Sequence, residues 1–189
     1  METKNSLFTS SLKTGLIIGV VSIVVFVIMY VADIKPVGIV MPLLILLLSI
    51  AISIIVLVVL FKKYRAEIGG FISFRNAFLY CFIAITISII LSQFFNYLFI
   101  QLIEPEYYKN IMEAQKTWME NYLAGKMPED QITQQLDKID EQASKMGTFS
   151  TLLKNTLGSI VFGGIIALIV GAIMKKNPEM FVDNAGGVI

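Results

Sequence analysis

Four stretches of this chain carry no charged residue: Thr14–Ala32, Val37–Phe61, Ala77–Ile103 and Leu157–Met174. A helix rises about 1.5 Å per residue and a hydrocarbon core is roughly 30 Å thick, so each stretch is long enough to cross a bilayer. Inside lipid every backbone N–H and C=O must be satisfied within the chain, so runs of this kind are helices rather than isolated strands. Apolar residues make up 56% of the 189 residues and charged residues 15%, and the charges collect between the runs. The expected fold is therefore an all-α integral membrane protein, one membrane domain over residues 1–189 with spans at about 14–32, 37–61, 77–103 and 157–174.

The connections set the arrangement. Asp33–Gly38 is a tight turn in which Pro36 disfavours helix at Lys35, so spans one and two are expected to be antiparallel neighbours. Ser10 and Ser11 are placed to cap the first helix, and Ser10-x-x-Lys13 is read as part of that start. The first run is too long for a signal-peptide core and no small-x-small pattern precedes Asp33, so it is expected to stay uncleaved. Between spans two and three, Phe61–Asn76 holds Lys62, Lys63, Arg65 and Arg75, with Gly69-Gly70 to break the helix. Tyr64, Phe71 and Phe74 are expected in the headgroup region, where aromatic rings are favoured.

Small and polar residues mark where spans should touch. Gly15 and Gly19 are four apart, and Gly163, Ala167 and Gly171 repeat that spacing in span four; bare faces of this kind let backbones approach closely. Gln93, Asn96 and Tyr97 share one face of span three, and an amide in hydrocarbon needs a partner, so this face is expected to look inward. The single cysteine, Cys81, lies inside an apolar run and is read as a packing residue.

Residues 104–155 form the one sizeable polar segment. Tyr108, Ile111, Gln115, Trp118 and Tyr122 follow helical spacing, as do Ile132, Leu136, Ile139, Ala143 and Met146. Gly125 ends the first of these helices and Pro128 opens the second. The spacing predicts a helical hairpin over about 105–147 that extends spans three and four outside the membrane. The heptad register, continued, passes through Ser150, Leu153, Leu157, Ile160, Gly164, Ala167 and Gly171 into span four, with Gly147 the point where it could break. Tyr108, Trp118 and Tyr122 are candidate partner-binding residues, since such aromatics are enriched in binding hot spots; the competing reading makes them the hairpin's own core. The tail, Asn177–Ile189, is expected to fray.

Little catalytic chemistry is legible. With no histidine, a serine nucleophile lacks its commonest base and a metal its commonest ligand. No phosphate loop, dinucleotide fingerprint or Cys/His cluster is present, so no catalytic, cofactor-binding or metal residue is assigned and an enzyme is not expected. Asp137 and Glu141 read as solvated charges beside Lys138 and Lys145, and Asp33 lies in a turn rather than inside a span, which argues against an ion-coupled carrier formed by one chain. A net charge of +1 gives no reason to expect a nucleic-acid partner.

The pattern Tyr64-Arg65-x-Glu67-x-Gly69-Gly70-x-Ile72-Ser73-Phe74, and the layout of four spans with a long segment before the last, resemble the bacterial membrane proteins of the domain of unknown function 4199 family over roughly residues 9–176. The resemblance implies a location and a layout, and no catalytic residues. For orientation, the side carrying both termini and the basic loop holds eight Lys/Arg and four Asp/Glu, against seven and ten on the other side. Positive-inside logic then makes the termini cytoplasmic and residues 104–155 periplasmic, in a bacterial inner membrane. The function expected is a non-enzymatic scaffold or accessory subunit contacting the bilayer and a membrane-protein partner or a second copy. The alternative is an oligomeric channel or carrier for a small or lipidic solute along the Gln93/Asn96 face. A membrane-lipid enzyme using Arg65, Glu67 and Arg75 ranks last.

Overall fold

In the computed structural model, which describes residues 2–176, the chain is helical nearly throughout. Helix α1 runs Glu2–Val31, α2 Val40–Glu67, α3 Phe74–Leu98, α4 Tyr107–Leu123, α5 Glu129–Lys145 and α6 Phe149–Met174. A π-helical turn, Phe99–Ile103, prolongs α3. Four helices are long and apolar enough to cross a membrane: Ser6–Val31, Val40–Glu67, Phe74–Ile103 and Phe149–Met174. The expected tail lies outside the described residues.

Helix α3 is the element the others are built on, because small residues let α1 and α6 approach it on two sides. A Cβ placed on Gly15 would stand 2.6 Å from the carbonyl oxygen of Ala84, and one on Gly19 2.8 Å from a methyl of Leu91. On the other side, a Cβ on Gly163 would meet Ile85 at 2.6 Å, and one on Gly171 would meet the backbone of Phe78 at 3.0 Å. Ala167, between them, is fully buried. In lipid no hydrophobic force draws helices together, so close van der Waals packing of this kind carries the association.

The core gathers at the basic-loop end of the bundle, where Leu57, Phe61, Tyr64, Ala77, Tyr80, Cys81 and Ala84 pack with Ala167 and Val170. Tyr64, expected among the headgroups, stacks instead on Tyr80 at 4.8 Å, and only Phe71 and Phe74 remain exposed there. The loop is tied to the far end of α6 in two ways. Arg65 donates to the carbonyl of Met174 at 2.9 Å, satisfying a helix-end acceptor, and Ile72 and Lys176 exchange backbone hydrogen bonds. Gly69 and Gly70 both take positive φ, which lets the chain turn between α2 and α3. Ser10 and Ser11 do not cap a helix: α1 begins at Glu2, and Ser11, buried in its interior, donates to the carbonyl of Phe8.

The polar segment forms the expected hairpin, α4 against α5, with Ile111 and Ile139 buried and Lys116 paired to Asp140 at 2.7 Å. Its first helix also closes over the outer ends of α1 and α3. Tyr107 sits among the rings of Phe26, Tyr30 and Phe99 at 5.5–5.9 Å. Farther along, Gln115 accepts from the N–H of Gly38 at 2.7 Å and Trp118 covers the same glycine. The heptad register passes into the last span only in part: of its positions there, Ala167 and Gly171 are buried. Gly147, at φ 76°, ends α5, and Thr148 caps α6 afresh. Ser150, Leu153 and Leu157 are consequently exposed, while Gly163, Ala167, Val170, Gly171 and Met174 face α3.

Candidate functional site

Helix α2 is the least enclosed span. Leu57, Phe61 and Tyr64 anchor its basic-loop end, but toward the hairpin side it stands away from its neighbours, and α2 and α6 have no extensive contact. Between them lies a cleft of about 550 Å³. Leu46, Ile50, Ile54, Phe162 and Ile166 make it apolar, and Ile85 and Ile89 of α3 form its back wall. Hydroxyls of Ser22, Ser53, Ser88, Ser92 and Ser159 dot the lining. Those of Ser22, Ser53 and Ser88 donate back to carbonyls of their own helices, the usual way a serine is satisfied inside a bilayer.

Toward the hairpin lies a second pocket of about 100 Å³, lined by Asn96, Tyr97, Tyr108, Thr148, Thr151 and Asn155 together with the apolar Ile100, Met146 and Leu152. Gln93 is the residue that lines both cavities. Every polar side chain around the outer pocket is uncharged. Asn96 accepts from the hydroxyl of Tyr108 at 3.0 Å, which fixes α4 to α3. Burial pushes the phenol of Tyr108 up to about 12, so it stays a donor at neutral pH. The π-helical turn lies directly after this face; its closing bond runs from the N–H of Glu104 to the carbonyl of Phe99 at 2.9 Å.

The structure thus brings Gln93, Asn96 and Tyr108 together, and sends Gly15, Gly19, Gly163, Ala167 and Gly171 to the α1–α3 and α6–α3 contacts. Trp118 is turned onto the α1–α2 connection. Tyr122, stacked on Trp118 at 4.9 Å, is the more exposed of the pair and carries Lys126 over its ring. Arg65, Glu67 and Arg75 do not converge: Arg65 is committed to the end of α6, Glu67 lines a cavity between α1 and α2, and Arg75 is exposed at the start of α3. The cleft was not legible in the sequence, because a gap between two apolar helices has the same composition as a contact. The serines were its only signal.

These features define a multi-pass helical membrane protein with a cleft between two of its candidate spans. A family described as "Protein of unknown function (DUF4199)" matches residues 13–176, and the chain belongs to that family. No curated protein and no solved structure matches it.

Proposed function

We propose that this is a non-enzymatic membrane protein that holds a lipidic amphiphile between α2 and α6, its chain in the cleft and its polar head at Gln93 and the outer pocket. The observation that carries this reading is that Gln93 lines both cavities, the apolar cleft and the pocket bearing Asn96, Tyr108 and Asn155. The cleft has about 550 Å³. A methylene takes about the volume of a water molecule, roughly 30 Å³, so one alkyl chain of some length fits. Because lipid is as apolar as the cleft wall, selection falls to the head, which uncharged hydrogen-bonding groups would receive.

Native mass spectrometry of the protein in mild detergent tests this. Wild type should retain one lipid that Ser159→Phe, which fills the cleft, loses; equal retention by both would refute the assignment. The accessory-subunit reading keeps one supporting feature, the exposed charged face of α5 bearing Asp137, Asp140 and Glu141. A stoichiometric protein partner released by reversing those charges would favour it. On either reading the basic-loop side is taken as cytoplasmic and the hairpin as periplasmic, on the Lys/Arg distribution.

A further inference from the structure

A third cavity, of about 370 Å³, opens at the other end of the bundle, between the first turns of α1 and the last turns of α2. It joins two sequence features that lie far apart in the chain: Ser10 and Lys13 from α1, and Lys63 and Glu67 from the basic stretch. Its floor is Tyr80, fully buried, whose hydroxyl is hydrogen-bonded to Thr14 at 2.7 Å, with Tyr64 stacked on it. Lys13, Lys63 and Glu67 are exposed at the rim. Polar groups thus ring a cavity at the membrane boundary, where a lipid headgroup sits.

From this arrangement we infer a binding site for the phosphodiester of an anionic phospholipid, held by Lys13 and Lys63 between α1 and α2. Charge selects the class. Among the described residues, two lysines and one glutamate give the cavity one positive charge in excess, and a phosphodiester monoanion neutralises it. The rim hydroxyls supply donors to the remaining phosphate oxygens. Arg65 is not available for this role because it is committed to the carbonyl of Met174. The site is distinct from the α2–α6 cleft, and neither depends on the other.

The test is a thermal-shift titration of the full-length protein in neutral detergent with three probes: short-chain phosphatidylglycerol, short-chain phosphatidylcholine and inorganic phosphate. Phosphatidylglycerol should raise Tm saturably, and phosphatidylcholine should do so only at concentrations at least about tenfold higher. Lys13→Gln with Lys63→Gln should raise the half-saturating concentration about tenfold or more, and Glu67→Gln should lower it. A control, Lys62→Gln with Arg75→Gln, removes the same charge from the same membrane side but outside the cavity, and should leave binding unchanged. If the control weakens binding as much as the lysine pair, or if the two lipids bind alike, the site is overturned. If inorganic phosphate matches phosphatidylglycerol, the phosphate site stands and the lipid is excluded as its source.

Discussion

Gly15 and Gly158 are both helical glycines in membrane spans, and their surroundings give them opposite fates. A Cβ on Gly15 would press on the Ala84 carbonyl and on Ile87, neither of which can yield without moving α1 from α3; a Cβ on Gly158 would meet nothing within 4 Å. We expect Gly15→Ala to cost about 1–3 kcal/mol and Gly158→Ala to be neutral or to gain up to about 1 kcal/mol from helix propensity. Comparing Tm in detergent checks both. Tyr108 offers a pH test. Its folded phenol is raised from 10.0 to about 12 by burial, so the stability it contributes is complete below pH 10 and is lost as pH rises through about 12. The absorbance difference between wild type and Tyr108→Phe should therefore develop near pH 12; development near pH 10 would show Tyr108 unburied. That Gly15 and Gly163 pack was legible in their spacing. That Tyr64 is core was not, because an aromatic flanked by Lys63 and Arg65 reads as an interfacial anchor until α3 supplies Tyr80 to stack on.

Among the elements, the spans and the hairpin were legible because each rests on a local pattern: uncharged length for the spans, 3-4 spacing for α4 and α5. The heptad continuation into α6 held at Ala167 and Gly171 but failed at Ser150, Leu153 and Leu157, for a local reason as well. Gly147 takes positive φ and Thr148 restarts the helix, so the phase is reset between two helices that are each regular. The lateral position of α2 was not legible, since an apolar helix with six per cent of its most apolar stretch buried has no face that its sequence distinguishes. The hairpin gives a direct test. Replacing Leu136 and Ile139 by Asp puts two charges on the α4–α5 seam, at about 1–3 kcal/mol each. Protease cutting within residues 124–128 should accelerate while membrane insertion is unchanged; an unaltered cutting rate would mean the hairpin is not held by that seam.

At the scale of the molecule, the two ends are built differently. The basic-loop end is packed and cross-tied by Arg65 and the Ile72–Lys176 backbone pair; the outer end is covered by α4 and left open between α2 and α6. On the proposed orientation, read from the Lys/Arg distribution, the packed end is the cytoplasmic one. A cysteine at Ser144, exposed on α5, should then react with a membrane-impermeant thiol reagent before the inner membrane is permeabilised; reaction only afterwards would invert the topology. Whether the open side holds a lipid chain is the central question, and fluorescence quenching addresses it most directly. With Trp118, the only tryptophan, replaced by Phe, a tryptophan introduced at Ile50 on the cleft wall reports the cleft's contents in reconstituted vesicles. Lipids brominated along the acyl chain should quench it strongly and aqueous acrylamide should not. Quenching by acrylamide without quenching by brominated lipid would mean the cleft holds water and would contradict the proposal.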